Sequence, residues 1–314
     1  MSESKFSGVL VPALTPFKPD FSPDTDKFLR HCRWLLDKGA DGLAVFGTTS
    51  EANSLGIDER MMLLEHLLDN NIPANVLMPG TGTSALTDTV KLTKHAVSYG
   101  CGAVLMLPPF YYKAVSDEGL FASYTEIIQR VGDAALNIYL YHIPPISQIG
   151  ISLDLIGRLL GESPDSIVGL KDSSGDWQNT LSILKEYPAL ATFCGSEVFL
   201  LDTLRNGGAG SITAVGNVNV ARIRQLFERW QEQDSETLQK HITQINRTIR
   251  DAALIPALKS IVASFYNTPD WRIVRPPLVS LGDSDSKHLV RGLTELCFKM
   301  GDLSSGAEVP ADNA

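Results

Sequence analysis

Residues 136–175 read LNIYLYHIPPISQIGISLDLIGRLLGESPDSIVGLKDSSG. Two short apolar runs, Leu136–Tyr141 and Ile167–Leu170, flank a longer segment of helical period, and the second run ends on a lysine, Lys171. Runs that are continuously apolar rather than alternating suit strands of a parallel sheet covered on both faces. The same unit recurs in both directions along the chain. Further strand candidates are Gly8–Leu14, Gly42–Phe46, Asn75–Met78, Ala103–Leu107, Ala191–Cys194 and Gly210–Thr213. Helix starts are signalled by Ser22-Pro23-Asp24, Asp58, Ser84 and Ser116, whose side chains can accept from free backbone N–H groups. Glycines close several helices just before the next strand, as in Lys38-Gly39-Ala40-Asp41-Gly42 and Tyr99-Gly100-Cys101-Gly102. A doubly wound sheet usually manages with about five or six strands, so eight units predict a closed (β/α)8 barrel. From about Asn219 onward only helix-like segments follow. The expected division is a barrel over 1–232, a helical region over 233–303 and a small, polar, disordered tail over 304–314.

Bulk properties narrow the function. The 314 residues are 44% hydrophobic, enough for a large core, and the formal net charge of −9 argues against nucleic acid or anionic membrane partners. Cys32, Cys101, Cys194 and Cys297 form no C-x-x-C pair and read as reduced core residues. The N-terminal stretch, cut short by Pro12 and Pro16, is no signal peptide, so a cytoplasmic location is expected.

In a barrel of this kind chemistry sits where strands end and the following loops begin. Ile167-Val168-Gly169-Leu170-Lys171-Asp172 places Lys171 at such a tip. Burying an ammonium there is costly unless it is paired or sheds its proton, and a neutral amine is what attack on a carbonyl needs. The bland alternative is a rim lysine, solvated or paired with Asp172. Tyr141 ends the preceding strand, where its hydroxyl could relay protons to an adduct on Lys171, or it could simply pack at the barrel mouth. Tyr139 has the same parity but lies deeper and reads as core.

Four segments then occur in order: Gly47-Thr48-Thr49-Ser50-Glu51, Pro109-Phe110-Tyr111-Tyr112, Tyr141-His142-Ile143-Pro144 and Gly169-Leu170-Lys171-Asp172-Ser173-Ser174-Gly175. Together they resemble the dihydrodipicolinate synthase / N-acetylneuraminate lyase family of class I aldolases, over roughly residues 6–300. The resemblance implies a Schiff base between Lys171 and pyruvate or a pyruvate-derived 2-oxo acid, with an aldehyde as the second reactant and no cofactor or metal. It implies proton transfer through Tyr141, and carboxylate binding by Thr48 and Thr49. Tyr111 matches a tyrosine that reaches across a subunit interface to complete the relay, which implies a homotetramer. Ile212 matches a residue lining the pyruvate pocket.

The chain also departs from the family. Dihydrodipicolinate synthases carry an arginine shortly after the tyrosine motif, and Ile146 stands there instead. An aliphatic group cannot replace a bidentate carboxylate clamp, so aldol cleavage or formation of a 2-keto-3-deoxy sugar acid, or of a related aryl- or alkyl-substituted hydroxy-2-oxo acid, is expected rather than 4-hydroxy-tetrahydrodipicolinate synthesis. A dehydratase or decarboxylase of a keto-deoxy sugar diacid is the runner-up. Ser173, Ser196, Glu197 and Ala214 would form the specificity side, with Glu197 binding sugar hydroxyls or capping a helix. Ser50 replaces a usual glycine and would reshape the carboxylate loop.

Three rival functions fit the sequence less well. Gly80-Thr81-Gly82-Thr83-Ser84-Ala85 satisfies the dinucleotide-binding pattern, yet it falls in the third unit, and the next strand ends in Pro108-Pro109 with no acidic residue for a ribose. A metal-dependent aldolase would need clustered ligands, whereas the six histidines are scattered. A silent 2-oxo acid sensor would need neither a buried amine nor a proton shuttle.

Overall fold

A computed structural model describes residues 5–301. In chain order the elements are β1 (Gly8–Val11), α1 (Thr25–Asp37), β2 (Gly42–Leu43), α2 (Ile57–Asp69), α3 (Leu86–Ser98), β3 (Val104–Met106), α4 (Asp117–Val131), β4 (Ile138–His142) and the short α5 (Pro144–Ser147). There follow α6 (Leu153–Glu162), β5 (Ile167–Asp172), α7 (Trp177–Glu186), β6 (Ala191–Cys194), α8 (Leu200–Arg205), β7 (Gly210–Ile212) and α9 (Gly216–Glu228). Among the described residues three more helices follow: α10 (Ser235–Arg250), α11 (Leu254–Phe265) and α12 (Asp283–Glu295).

The seven strands form one parallel sheet in the order β2-β1-β7-β6-β5-β4-β3. Between its two edges runs the segment 77–81, which closes the ring. Met78 N–H donates to Leu43 O at 2.9 Å and Gly80 N–H to Val45 O at 2.7 Å, while Leu105 N–H donates to Pro79 O at 3.0 Å. The eighth strand is therefore present as isolated bridges, Leu43 with Leu77 and Gly80 with Leu105, rather than as a regular ladder. The expected strand over Asn75–Met78 is corrected accordingly: Ala74–Val76 is a 3₁₀ turn, and pairing starts at Leu77. Pro79 lacks an N–H and interrupts the ladder.

Gly80 and Gly82 owe their identity to this closure. A Cβ on Gly80 would lie 2.2 Å from Phe46 O, and one on Gly82 would lie 2.3 Å from the Leu107 backbone. The glycine pattern that mimics a dinucleotide loop is thus a seam where two backbones approach too closely for any side chain.

Alternate residues divide the core. Leu10, Ala44, Met78, Leu105, Tyr139, Phe193 and Ile212 fill the barrel interior. Val9, Val11, Val104, Ile138, Leu140 and Leu170 face outward under the helices. Tyr139 is buried at depth, its hydroxyl accepting from Phe6 N–H at 3.0 Å. Helix starts follow the capping logic in part. Asp24 caps α1 through Lys27 N–H and Ser116 caps α4 through Gly119 N–H. Asp58 and Ser84 lie instead one residue inside α2 and two residues before α3. The helices α10 and α11 pack on the barrel helices, and α12 packs on α10 and α11, while the expected tail over 304–314 lies outside the described residues. Among the described residues no helix is long and apolar enough to cross a membrane.

Candidate active site

The strand expected to end at Leu170 continues to Asp172, so Lys171 is held within β5 rather than on a loop. Its register partner on β4 is Tyr141, and the next pair is His142 with Asp172. Because successive strand residues point to opposite faces, Lys171 and Tyr141 share the barrel interior while His142 and Asp172 turn outward. Lys171 Nζ lies 4.4 Å from the centroid of the Tyr141 ring, and both residues are about 95% buried. Tyr141 Oη is 3.2 Å from Thr48 Oγ1, a hydrogen bond in which either hydroxyl can donate. Asp172 does not serve as the counter-ion of its neighbour. Its carboxylate accepts from Thr180 Oγ1 at 2.6 Å, Asn179 Nδ2 at 3.0 Å and Ser174 N–H at 2.9 Å, which anchors the start of α7.

Thr48 and Thr49 sit in a tight turn after β2. Phe46 and Glu51 bracket it in the left-handed region, at φ 59° and 56°, a conformation that non-glycine residues hold only when their surroundings fix it. Those surroundings are explicit. Glu51 N–H donates to Thr48 O at 3.1 Å and Ala52 N–H to Gly47 O at 3.2 Å. Ser50 is fully buried, and its hydroxyl donates to Ala13 O at 2.6 Å, while Thr15 Oγ1 donates to Ser50 O at 2.8 Å. The serine in the glycine position therefore stitches the turn to the loop after β1. Beside Thr48 and Tyr141 opens a small concavity, lined also by Asn53, Gly80 and Leu107.

Ile212, at the end of β7, is completely buried in the same interior cluster as Tyr141. Ser173 and Ser196 are half-buried on the loops after β5 and β6, and Ala214 follows β7. Two expected residues are not brought into this group. Glu197 is fully buried with its carboxylate engaged by Thr213 Oγ1 and, at 2.7 Å, by Asn246 Nδ2 of α10. Burial raises its pKa above the usual carboxylate value. Tyr111 is 72% exposed on the loop between β3 and α4, its ring 5.4 Å from that of Tyr112. Ile146, on α5, is 60% exposed. Among the described residues no group of three or more His, Cys, Asp or Glu side chains could hold a metal ion.

Residues that sequence reasoning left unassigned lie behind the threonine turn. The carboxylate of Glu51 pairs with the ammonium of Lys259, on α11, both side chains being fully buried. Arg275 N–H donates to Glu51 Oε2 at 2.9 Å, and its guanidinium grips Glu59. Nothing local announces this pairing, because 208 positions (259 minus 51) separate its members.

Fold and site together define a (β/α)8-barrel enzyme with a buried lysine and tyrosine on adjacent strands. The chain belongs to the dihydrodipicolinate synthetase family, whose profile it matches over residues 5–296. It is 32% identical over 280 residues to an uncharacterised DapA-like lyase of Chloroflexus aurantiacus, covering 88% of this chain and 93% of that one. It is 30% identical over 251 residues to a probable 2-dehydro-3-deoxy-D-pentonate aldolase of Escherichia coli, covering 77% of this chain and 81% of that one. The crystal structure of dihydrodipicolinate synthase from Agrobacterium tumefaciens superposes with a TM-score of 0.87 at 31% identity, covering 93% of this chain and 99% of that one. The chain is accordingly a lyase of the aldolase type.

Proposed function

We propose that this enzyme is a Schiff-base aldolase that cleaves a 2-keto-3-deoxy sugar acid, or a related hydroxy-2-oxo acid, to pyruvate and an aldehyde. The observation that carries this reading is the burial of Lys171 Nζ beside the Tyr141 ring, with Thr48 Oγ1 at the tyrosine hydroxyl. Lys171, as the neutral amine, attacks the 2-oxo carbon, and the resulting carbinolamine loses water to give an iminium. That cation accepts the electron pair released when the C3–C4 bond breaks, as the C4 hydroxyl gives up its proton and leaves as the aldehyde. Protonation of the enamine at C3 and hydrolysis then free pyruvate and restore the amine. The Tyr141 hydroxyl would carry protons to and from the carbinolamine and the C4 hydroxyl. Thr48 and Thr49 would hold the carboxylate through hydroxyl and backbone N–H donors.

Ile146 favours cleavage over condensation with a second carboxylate substrate, since an aliphatic side chain offers no donor to an anion. The Escherichia coli relative, named for a keto-deoxy sugar acid, supports the same substrate class. With Glu197 already engaged by Thr213 and Asn246, the half-buried Ser173 and Ser196 are the better candidates for hydroxyl contacts. The exposure of Tyr111 suits a residue completed by a partner copy, and a tetramer working in the cytoplasm is part of the proposal; a monomer by light scattering would remove Tyr111 from it.

Borohydride reduction in the presence of pyruvate, followed by peptide mass spectrometry, tests the reading. Covalent mass is expected on the Lys171 peptide and none in Lys171→Ala. An unlabelled wild-type Lys171 would refute the Schiff base. Product analysis across keto-deoxy acids then separates cleavage from dehydration or decarboxylation.

A further inference from the structure

We propose that Lys259 is a positioning residue for the reaction: through its buried pair with Glu51 it holds the Thr48–Thr49 turn in the shape that binds the keto-acid carboxylate. This inference rests on the proposed role of that turn.

Few contacts separate Lys259 from the threonine turn. Lys259 sits on α11 with its ammonium paired to Glu51, donating to Ile273 O at 2.7 Å and lying 4.4 Å from the Phe17 ring centroid. The Arg275 guanidinium lies 4.8 Å from the same ring and donates to Ser54 O at 2.7 Å, to Phe21 O and to the Glu59 carboxylate. One cluster therefore clamps the loop after β1, the turn after β2 and the start of α2 against the C-terminal helices. Glu51 is both a member of this cluster and a corner of the turn, since its own N–H donates to Thr48 O. A shift of its carboxylate is transmitted through that hydrogen bond to Thr48, and from Thr48 Oγ1 to Tyr141 Oη.

Stability alone explains the pair poorly. Removing two charges from water offsets most of their attraction, and well-packed apolar residues of similar volume often do as well or better. What apolar packing does not supply is a single direction. An ammonium against a carboxylate, with Ile273 O and Arg275 N–H on the remaining sides, fixes where Glu51 points and so fixes its left-handed backbone. Three residues upstream, an oxyanion-binding turn needs that constancy, because donors displaced by about 1 Å lose most of their effect.

Two variants test it. Glu51→Gln keeps shape and one acceptor oxygen while removing the charge. Burial already lowers the Lys259 pKa to about 8, so the lysine can shed its proton in that variant and the chain can fold. Lys259→Met removes the other partner. The readout is the pyruvate concentration that half-saturates borohydride trapping at Lys171, with thermal midpoint measured alongside. Both variants are expected to need about tenfold more pyruvate while reaching wild-type trapping at saturation. The double variant is expected to be no worse than the poorer single one, as for two ends of one contact. Half-saturation within about twofold of wild type in Glu51→Gln, whatever the change in thermal midpoint, would overturn the proposal. That variant alone decides should Lys259→Met prove insoluble. Absence of any adduct in the wild type would instead sink the Schiff-base reading, so the two failures are distinguishable.

Discussion

At the scale of single residues, the site is a matter of which atoms face one another across β4 and β5. Lys171 and Tyr141 are register partners in a parallel pair, which fixes their separation through backbone geometry rather than through any contact of their own. The tyrosine hydroxyl is the only group of its side chain that chemistry can use, and it is already hydrogen-bonded to Thr48. If Lys171 works as proposed, Tyr141→Phe is therefore expected to leave its amine in place and lower turnover by about 10²-fold or more, the range for a lost proton-transfer group. Steady-state kinetics beside the trapping assay checks this, and wild-type turnover would remove the tyrosine from the mechanism.

At the scale of elements, closure of the barrel depends on the irregular segment 77–81 more than on any regular strand. Gly80 has the Phe46 carbonyl where a Cβ would be, and that carbonyl belongs to backbone that cannot move aside without opening the β2 edge. Gly80→Ala is expected to destabilise the fold by about 3 kcal/mol or more, as overpacking against backbone does. Gly161 is the matching control. It lies within α6 with no neighbouring atom within 4 Å of where a Cβ would stand, so Gly161→Ala should be neutral or stabilise by about 0.5–1 kcal/mol. Urea unfolding of the two variants measures the contrast; equal midpoints would mean that the seam at Gly80 is not the constraint described.

At the scale of the whole molecule, α1 is bound to the barrel and the C-terminal region around His31. The imidazole is fully buried, its Nε2–H donating to Asn217 Oδ1 at 3.0 Å, with the Trp34 ring stacked 5.9 Å away and Trp271 edge-on at 5.1 Å. The amide of Asn217 is oriented by Leu14 N–H, Pro12 O and Ala214 O, so the proton on Nε2 is fixed. Burial lowers the His31 pKa from 6.5 to about 4, against a smaller opposing effect of the Asn217 hydrogen bond. As pH falls below 6.5 the unfolded chain binds a proton that the folded chain refuses until about pH 4. This residue's contribution is thus whole above 6.5 and is lost progressively down to about 4, on the order of 3 kcal/mol in total. His31→Gln should flatten the fall of unfolding free energy over that window by about one proton, measured by denaturant titration at several pH values. An unchanged slope would show that His31 takes up its proton in the folded state.

The alternation of apolar runs with helical segments was enough to read eight units, because strand period and burial are local properties of the chain. A lysine at the end of one run marked Lys171 as a candidate, and the four motifs in order gave it a role. The place of the third strand was not local: Asn75–Met78 has strand-like composition, but closing the ring required pairing at Leu77 and Gly80, a demand set by β2 and β3 together. Glu197 and Glu51 make the same point for side chains. One looked free to bind substrate and is held by Asn246 of α10; the other carried no evident role and meets Lys259 of α11 behind the threonine turn. That the fold consumes both carboxylates depends on partners that sequence distance hides, since a buried charge is settled only by what packs against it.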